Sequence, residues 1–450
     1  MGSRQELSFL EEEQMMSPWR TTMRKFRESK LSMTGVIVFL IMFLIMTFGP
    51  LVFVQDLSYA EPTQANLAPG YNMMQYPSQL VKDGVQKISA GKSYAVGVSQ
   101  KGDVYTWGKT KISAAIDMKN LPKDLKGAKI VDVAVGFDHA FVLDDNGRLY
   151  GWGSDRTNQL RVSDELMFGV PGTVKQLVAG YQVTAVVLTD GTVYTWGNEN
   201  MTDIHIKPEY QGQIEKVTFT SDAMIALLKD GSVKYVGIHN NIYSRIPEGL
   251  SEGVVDIAST YTSVAALKSD GSVVVWGNTI RGERNIPQTD AKMVKLFAGQ
   301  YHYTALLENG EIVAWGDNLF KQSTVPGSLK GKAVKDVYSG FFQNYVVKED
   351  GKLSTFGLKG YIFGTDALGR DILNRIVNGG RMTMTVGAVA VIISTIIGII
   401  VGCVSGYFGG WVDLVLQRFT EVINSLPFLP FALLLSAIVG SRIEETGAFC

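Results

Sequence analysis

The stretch DGTVYTWG, residues 190–197, decides the fold, because variants of it occur seven times along the chain. The others are KGDVYTWG (101–108), NGRLYGWG (146–153), DGSVKYVG (230–237), DGSVVVWG (270–277), NGEIVAWG (309–316) and DGKLSTFG (350–357). The final glycines recur every 39 to 45 residues. The turn glycine stands six residues before each of them, and a marked position (91, 136, 180, 220, 260, 299, 340) stands eleven before that. The marked position is glycine in five units, with Thr220 and Thr260 in the other two. Asp-Gly or Asn-Gly between apolar runs makes a tight hairpin, since both central residues need positive φ. Each unit therefore reads as a short strand such as VDVAV (131–135), a second such as HAFVL (139–143) and a third carrying Trp-Gly. Val236 and Phe356 replace the tryptophan in two units. The stretch between units, variable in length, is expected to add a fourth, edge strand. One such sheet cannot bury both faces alone, whereas seven packed radially can. Residues 80–357 thus read as a seven-bladed β-propeller.

Working outward, the charge-free run MTGVIVFLIMFLIMTFGPLVFV (33–54) is long enough to cross a bilayer as a helix. Arg20, Arg24, Lys25, Arg27 and Lys30 precede it, which puts the N-terminal segment 1–32 in the cytoplasm. A cleaved signal peptide ending near Ala60 is the rival reading, but the apolar run is too long and starts too late. Two further charge-free runs, 382–408 and 422–440, read as second and third spans, the last bent near its start by Pro427 and Pro430. This topology makes 56–79 an external linker, 409–421 a cytoplasmic loop and 441–450 an external tail. Lys359, Arg370, Arg375 and Arg381 would then lie outside, against the charge rule. The expected fold class is multidomain: transmembrane α-helices, with an all-β propeller inserted between the first and second spans.

The repeats resemble the regulator-of-chromosome-condensation repeat and the β-lactamase-inhibitory propeller related to it. The flanks resemble the dipeptide/oligopeptide permeases of ATP-binding-cassette importers. Three stretches carry the second resemblance: SPWRTTMRKFRESKLSMTGVIV (17–38) with QANLAP (64–69), FGTDALGRDILNRIVNGGR (363–381), and GYFGGWVDLVLQRFTEVINSLP (406–427). The resemblance implies a peptide-import permease subunit in the lipid bilayer of the plasma membrane, working with a second permease subunit and cytoplasmic ATPase subunits. It also implies that the propeller fills a short external loop between the first two spans. Such permeases have six spans and a Glu-Ala-Ala coupling helix; this chain ends at Cys450 after three spans, which suggests a truncated or split permease.

Gly364, Thr365, Asp366, Leu368, Gly369, Arg370 and Asp371 form the permease motif between propeller and second span. Thr365 or Asp366 is expected to cap an interfacial helix within 358–381, with Leu368, Ile372, Leu373, Ile376 and Val377 on one face. Gating or subunit contact is the rival role. Just after the marked positions stand Phe137, Tyr181, Tyr261, Tyr301, Phe341 and Phe342. These six form a candidate recognition rim for an extracellular protein or peptide, or else they fold back over the blade tops. His139 and His302 hold equivalent repeat positions and read as packing residues; His205 and His239 lie in variable connections with no carboxylate or cysteine at metal spacing.

Net charge is −1, from 42 basic and 43 acidic residues, which gives no reason to expect a nucleic-acid partner. Cys403 and Cys450 offer no disulfide framework. No nucleophile, phosphate loop, paired carboxylates or metal set emerges, so neither catalysis nor a cofactor is expected. Two functions compete: a permease subunit with an extracytoplasmic recognition propeller, or a surface-binding module that the spans merely anchor.

Overall fold

The computed structural model describes residues 18–52, 59–239, 241–425 and 427–446. It divides into two compact units, one formed by residues 55–373 and the other by the segments before and after them.

The first unit holds seven antiparallel sheets, each of three strands in sequence order. They cover residues 85–108, 130–153, 174–197, 214–235, 254–277, 293–316 and 334–357, here blades 1 to 7. The expected fourth strand is absent from these sheets. The variable stretches instead form 3₁₀ turns and loops, such as Lys123–Leu125 and Pro208–Tyr210, joined only by isolated bridges such as Lys111 to Asp117. Each of these stretches differs in length and carries a proline, which cannot donate to a ladder.

The second strand of each blade is the most buried, for example Val183–Leu188, with buried residues on both faces. Its neighbours are half-covered, as in Val193–Gly197. The first strand of every blade lies beside that of the next, and Val334–Ser339 of blade 7 returns beside Val85–Ala90 of blade 1. The ring is therefore closed. At the closing seam Trp107 Nε1 donates to Tyr345 Oη at 3.0 Å, with the rings edge to face. Tyr338 Oη donates to the Gln86 carbonyl at 3.1 Å.

The marked glycines have a steric origin. A Cβ on Gly136 would lie 2.2 Å from His139 Cε1, and one on Gly299 would lie 2.1 Å from His302 Cε1. Where threonine stands instead, its hydroxyl caps the turn: Thr220 Oγ1 accepts from Ala223 N at 3.1 Å and Thr260 Oγ1 from Ser263 N at 2.9 Å.

The second unit is helical. α1 (Pro18–Glu28) carries Arg20, Arg24, Lys25 and Arg27 of the basic cluster, and α2 (Lys30–Val52), which begins with its fifth member, is the first apolar helix. A five-residue helix, α3 (Ser78–Lys82), belongs to the propeller unit. α4 (Ile372–Phe408), α5 (Gly410–Ser425) and α6 (Phe428–Thr446) follow the propeller. α2 and α4 are each long and apolar enough to cross a membrane; α5 and α6, bent by 81°, would count as a third span if taken together. α2 and α4 approach closely: a Cβ on Gly49 would lie 2.5 Å from Val377 Cγ1.

Two expectations change here. The interfacial helix and the second span are one continuous helix, α4. Residues 409–421 do not form a loop: Gly409 and Gly410, with φ of +56° and +50°, reverse the chain directly into α5. The polar residues that suggested a loop lie on a helix: Asp413, Gln417 and Glu421 share one face, and Arg418 lies off it. The break between α5 and α6 coincides with Pro427. Residues 53–58, which include the end of the first expected span, and 447–450, at the end of the expected external tail, lie outside the described residues.

Candidate functional site

The two permease-like segments that flank the propeller in sequence are hydrogen-bonded to each other. Gly70 N donates to the Tyr361 carbonyl at 2.8 Å and Met73 N to the Lys359 carbonyl at 3.0 Å. Further along, Thr365 N donates to Leu67 O at 3.0 Å, Asn66 N to Asp366 O at 2.9 Å and Glu61 N to Leu368 O at 3.1 Å. Thr365 Oγ1 accepts from Leu67 N at 2.8 Å and donates to the Gln64 carbonyl. Thr365 is buried, so this hydroxyl satisfies two backbone groups that water does not reach.

The motif glycines permit this contact. Gly364 has φ +77°, and a Cβ there would lie 2.3 Å from Leu67 O. Gly369 has φ +72°, and its Cβ would lie 1.8 Å from Glu61 O. Asp366 closes the turn between them, accepting from Leu368 N at 2.9 Å, Arg370 N at 3.0 Å and Arg370 Nε at 2.8 Å. Desolvation raises its pKa, but these bonds outweigh that and hold the carboxyl below the usual carboxylate range.

The expected helix cap is corrected: Asp371, not Thr365 or Asp366, caps α4, accepting from Leu373 N at 2.9 Å. Leu368 lies before the helix and is half exposed, so it shares no helical face with Ile372 and Val377.

This junction sits against the aromatic end of the propeller axis. Leu67, Met73, Leu358 and Tyr361 pack with Tyr301 and Phe342, and Gln64 Nε2 donates to Lys92 O at 2.7 Å. The six rim residues converge rather than ring the mouth separately. Phe137 stacks on Tyr181 at 4.2 Å; Tyr181 meets Tyr261 at 5.3 Å and Phe341 at 6.4 Å; Tyr261 meets Tyr301 at 6.3 Å. Phe342 is fully buried and Tyr301 nearly so, so for these two the second alternative, folding back over the blade tops, is the one observed. Phe137, Tyr181, Tyr261 and Phe341 keep part of their surface. Two cations lie on this aromatic surface: Lys92 Nζ 4.1 Å from the Phe137 centroid and Arg281 3.8 Å from that of Tyr301. Burial lowers the Lys92 pKa, countered by the charge of Asp138. Burial raises those of Tyr181, Tyr261 and Tyr301. Beneath the aromatic residues runs an axial cavity of about 330 Å³, whose lining includes Tyr261 and Phe341 together with Lys87, Gln176, Lys216 and Tyr338.

Two arrangements went unread in the sequence. Four residues before each marked position stand Lys87, Asp132, Gln176, Lys216, Asp256, Lys295 and Asp336. They staple neighbouring blades: Lys87 pairs with Asp132, Lys216 with Asp256 at 2.6 Å and Lys295 with Asp336 at 3.3 Å, while Gln176 Nε2 donates to Val217 O at 2.9 Å. The alternation of sign at one repeat register was the available signal. Second, His205 and His239 do have a carboxylate partner. Both face Asp203, with Nδ1 to carboxylate distances of 3.6 Å and 3.2 Å, and Tyr235 Oη donates to it at 2.8 Å. Desolvation raises the Asp203 pKa, but bonds from His239 N and Tyr235 outweigh it and leave the pKa low. Among the described residues no group of three or more His, Cys, Asp or Glu is placed to hold a metal ion.

His139 and His302 are fully buried and each reaches the next blade: Nε2 lies 2.9 Å from Thr184 Oγ1 and 3.0 Å from Asn344 Oδ1, respectively. Burial lowers both pKa values to about 4.

Comparison with known proteins agrees with this division. Residues 17–69 match the family described as the N-terminal TM domain of oligopeptide transport permease C. Residues 130–159, 174–201 and 293–322 match the regulator of chromosome condensation (RCC1) repeat. The oligopeptide transport system permease protein OppC of Haemophilus influenzae is 46% identical over 87 residues, which is 19% of this chain and 28% of that protein. The ultraviolet-B receptor UVR8 of Arabidopsis thaliana is 26% identical over 296 residues, covering 53% of this chain and 67% of the receptor. Human WBSCR16, a solved structure, aligns with 57% of this chain and 85% of its own at 19% identity and a TM-score of 0.46. The chain spans little more than a quarter of the permease it matches. It joins a peptide-permease-like membrane region to a propeller of the RCC1-repeat type.

Proposed function

We propose that this chain is a permease-type component of an ATP-binding-cassette importer for peptides or similar solutes, with its propeller held outside the cytoplasm. The observation that carries this reading is the junction. Segments 61–70 and 359–371 bond to each other as the two halves of one short loop would, and the propeller leaves and returns through Gly70 and Tyr361. Insertions are tolerated where the two ends lie close. The basic cluster before α2 keeps the N-terminus inside, so the loop and its insert face outward. A second permease subunit and cytoplasmic ATPase subunits are the partners this reading requires.

The partly exposed Phe137, Tyr181, Tyr261 and Phe341 remain the candidate surface for a protein or peptide ligand. Tyr301 and Phe342 instead seat the chain's own loop. The test has two arms. Protease added to intact cells should cut within residues 80–357; protection there, with cleavage after permeabilisation, reverses the topology. Uptake of a labelled tripeptide by cells that express this chain should fall when its gene is deleted. Unchanged uptake would favour the anchored binding module.

A further inference from the structure

The axial cavity of the propeller is a cup, closed at one end. All seven blades contribute to its wall. Rings close the aromatic end. Tyr181 of blade 3 meets Phe137 of blade 2, Tyr261 of blade 5 and Phe341 of blade 7, and Phe137 also meets Phe341 at 6.1 Å. Rings from opposite sides of the propeller therefore touch across the axis. The backbones that carry them are laced together: Ser221 N donates to Tyr261 O at 2.9 Å, Tyr261 N to Gln300 O at 2.9 Å and Gln300 N to Phe341 O at 2.8 Å. The other end lies at the register of the lysine–aspartate pairs. There the Lys87 and Lys216 side chains are 34% and 30% exposed, and Gln86, Lys175 and Lys335, one residue before that register, are exposed. First strands begin beside hairpin turns, as where Ile130 N donates to Gly102 O at 3.1 Å. The mouth thus opens at the hairpin end of the blades, away from the junction.

Charge is placed unevenly within the pairs. Asp256 is drawn back onto the strands, accepting from Ile257 N at 2.9 Å and Leu296 N at 2.8 Å, and Asp132 accepts from Val133 N at 2.7 Å. Lys87 and Lys216 line the cavity, and among the described residues no other charged side chain does. An ammonium has three N–H donors, and Lys216 Nζ uses one of them on Asp256. Deeper in the wall, Ser259 Oγ and Gln300 Nε2 are buried without a hydrogen-bond partner. Gln300 as a whole is buried, and a buried donor left unpaired is unfavourable. Small side chains between these levels, Ala134, Ala179, Ala258 and Ala298, leave the space open. Ser259 stands three residues beyond the lysine register and Gln300 five, so they lie roughly 10 Å and 16 Å above it at about 3.3 Å per residue. An extended tripeptide also spans about 10 Å. The volume, about 330 Å³, is that of a small-molecule pocket.

We propose that the axial cup binds a slender solute by its carboxylate, held by the lysine ammoniums at the mouth, with its far end accepting from Ser259 and Gln300 beneath the rings. A short peptide and a free organic acid share that chemistry. The site is separate from the outer aromatic surface and does not depend on transport. The test is calorimetric titration of the full chain in detergent with N-acetyl-trialanine and with 4-phenylbutyrate, each beside its uncharged carboxamide. At least one carboxylate should bind, and its carboxamide should bind about ten-fold more weakly or worse. Binding of the tripeptide alone marks a peptide site, and binding of phenylbutyrate alone marks an organic-acid site. Lys216→Gln should weaken binding by about ten-fold, whereas Lys92→Gln, on the outer side of the rings, should leave it unchanged. Melting curves confirm that both variants are folded. No heat from either carboxylate would overturn the proposal by showing a cup that holds only water. Equal affinity for acid and carboxamide would overturn carboxylate recognition, and a loss with Lys92→Gln but not with Lys216→Gln would move the ligand to the outer surface.

Discussion

Thr365 Oγ1 accepts a hydrogen bond from the Leu67 amide at 2.8 Å although the two positions are 298 apart in the chain. That single bond ties the segment that follows the first apolar helix to the segment that precedes the second. The whole propeller lies between the two partners in sequence. The permease-like loop is thus closed on itself, and the propeller ring is closed separately, through Trp107 and Tyr345. Each closure has its own residues, so the loop and the ring share none of their closing bonds.

Thr365 should accordingly matter more than its size suggests. Thr365→Val preserves shape but leaves the Leu67 amide and the Gln64 carbonyl unpaired in a buried place. A loss of about 1–3 kcal/mol is expected. It should be read as faster protease clipping between residues 59 and 78 of the purified chain, while the propeller stays resistant. Thr365→Ser should restore resistance, because the hydroxyl returns.

The two buried histidines predict an acid-sensitive propeller. Their folded pKa is about 4, below the unfolded value near 6.5, so the unfolded chain binds the extra protons. Stability is then highest above about pH 6.5 and falls as pH drops towards 4, by up to about 3 kcal/mol for each histidine. Asp138, Glu283 and Asp317, whose pKa values burial raises, act in the opposite sense. The difference between variants isolates the histidine. The loss of melting temperature between pH 7.5 and pH 4.5 should be smaller for His302→Gln than for the unmodified chain. Equal losses would place the acid sensitivity elsewhere.

The repeat grammar made the seven blades legible, because a hairpin glycine and a buried indole recur at fixed spacing. Blade closure was legible only in outline, since Tyr345 carries no sign in the sequence that its hydroxyl meets Trp107. The fourth strand was misjudged because sequence shows that a connection exists, not whether it keeps register. The 409–421 segment was misread because polar residues on a helix and in a loop have similar composition; only the spacing of Asp413, Gln417 and Glu421 separates them. Asp203 escaped notice for a different reason. His205 is near it in sequence, but His239 reaches it across the strand of blade 4.

The hairpin turns allow a graded comparison. Gly271 has φ +88°, and a Cβ there would lie 2.9 Å from Lys292 Cβ. Gly351 has φ +76° with nothing within 4 Å of the added atom. Gly271→Val meets both strain and contact, and should destabilise by about 1–3 kcal/mol. Gly351→Asn meets strain alone, and asparagine tolerates positive φ better than other side chains. Its loss should be under about 1 kcal/mol. Denaturant unfolding of the two variants checks the order, and the reverse order would mean that the turns are not set by backbone sign and local space.

The aromatic residues separate into two roles by burial, and the two roles predict different failures. Phe342 has no exposed surface and packs among Leu67, Met73, Tyr301 and Tyr361. Phe342→Ala should leave a cavity and destabilise by about 3–5 kcal/mol, whatever the propeller binds. Tyr181 and Tyr261 are half-buried, and each keeps ring contacts to more than one neighbour, so truncating one leaves the others to support the site. Their stability losses should therefore be smaller. If the exposed ring edges recognise a ligand, Tyr181→Ala and Tyr261→Ala should each weaken binding by roughly 2 kcal/mol or more while melting changes less than for Phe342→Ala. The measurement pairs a melting curve with titration of the partner found by pull-down on the full chain in detergent. A partner whose affinity survives both tyrosine changes binds elsewhere on the propeller. In that case the aromatic cluster serves only to seat the Leu67 loop and to plug the axis above Lys87 and Lys216.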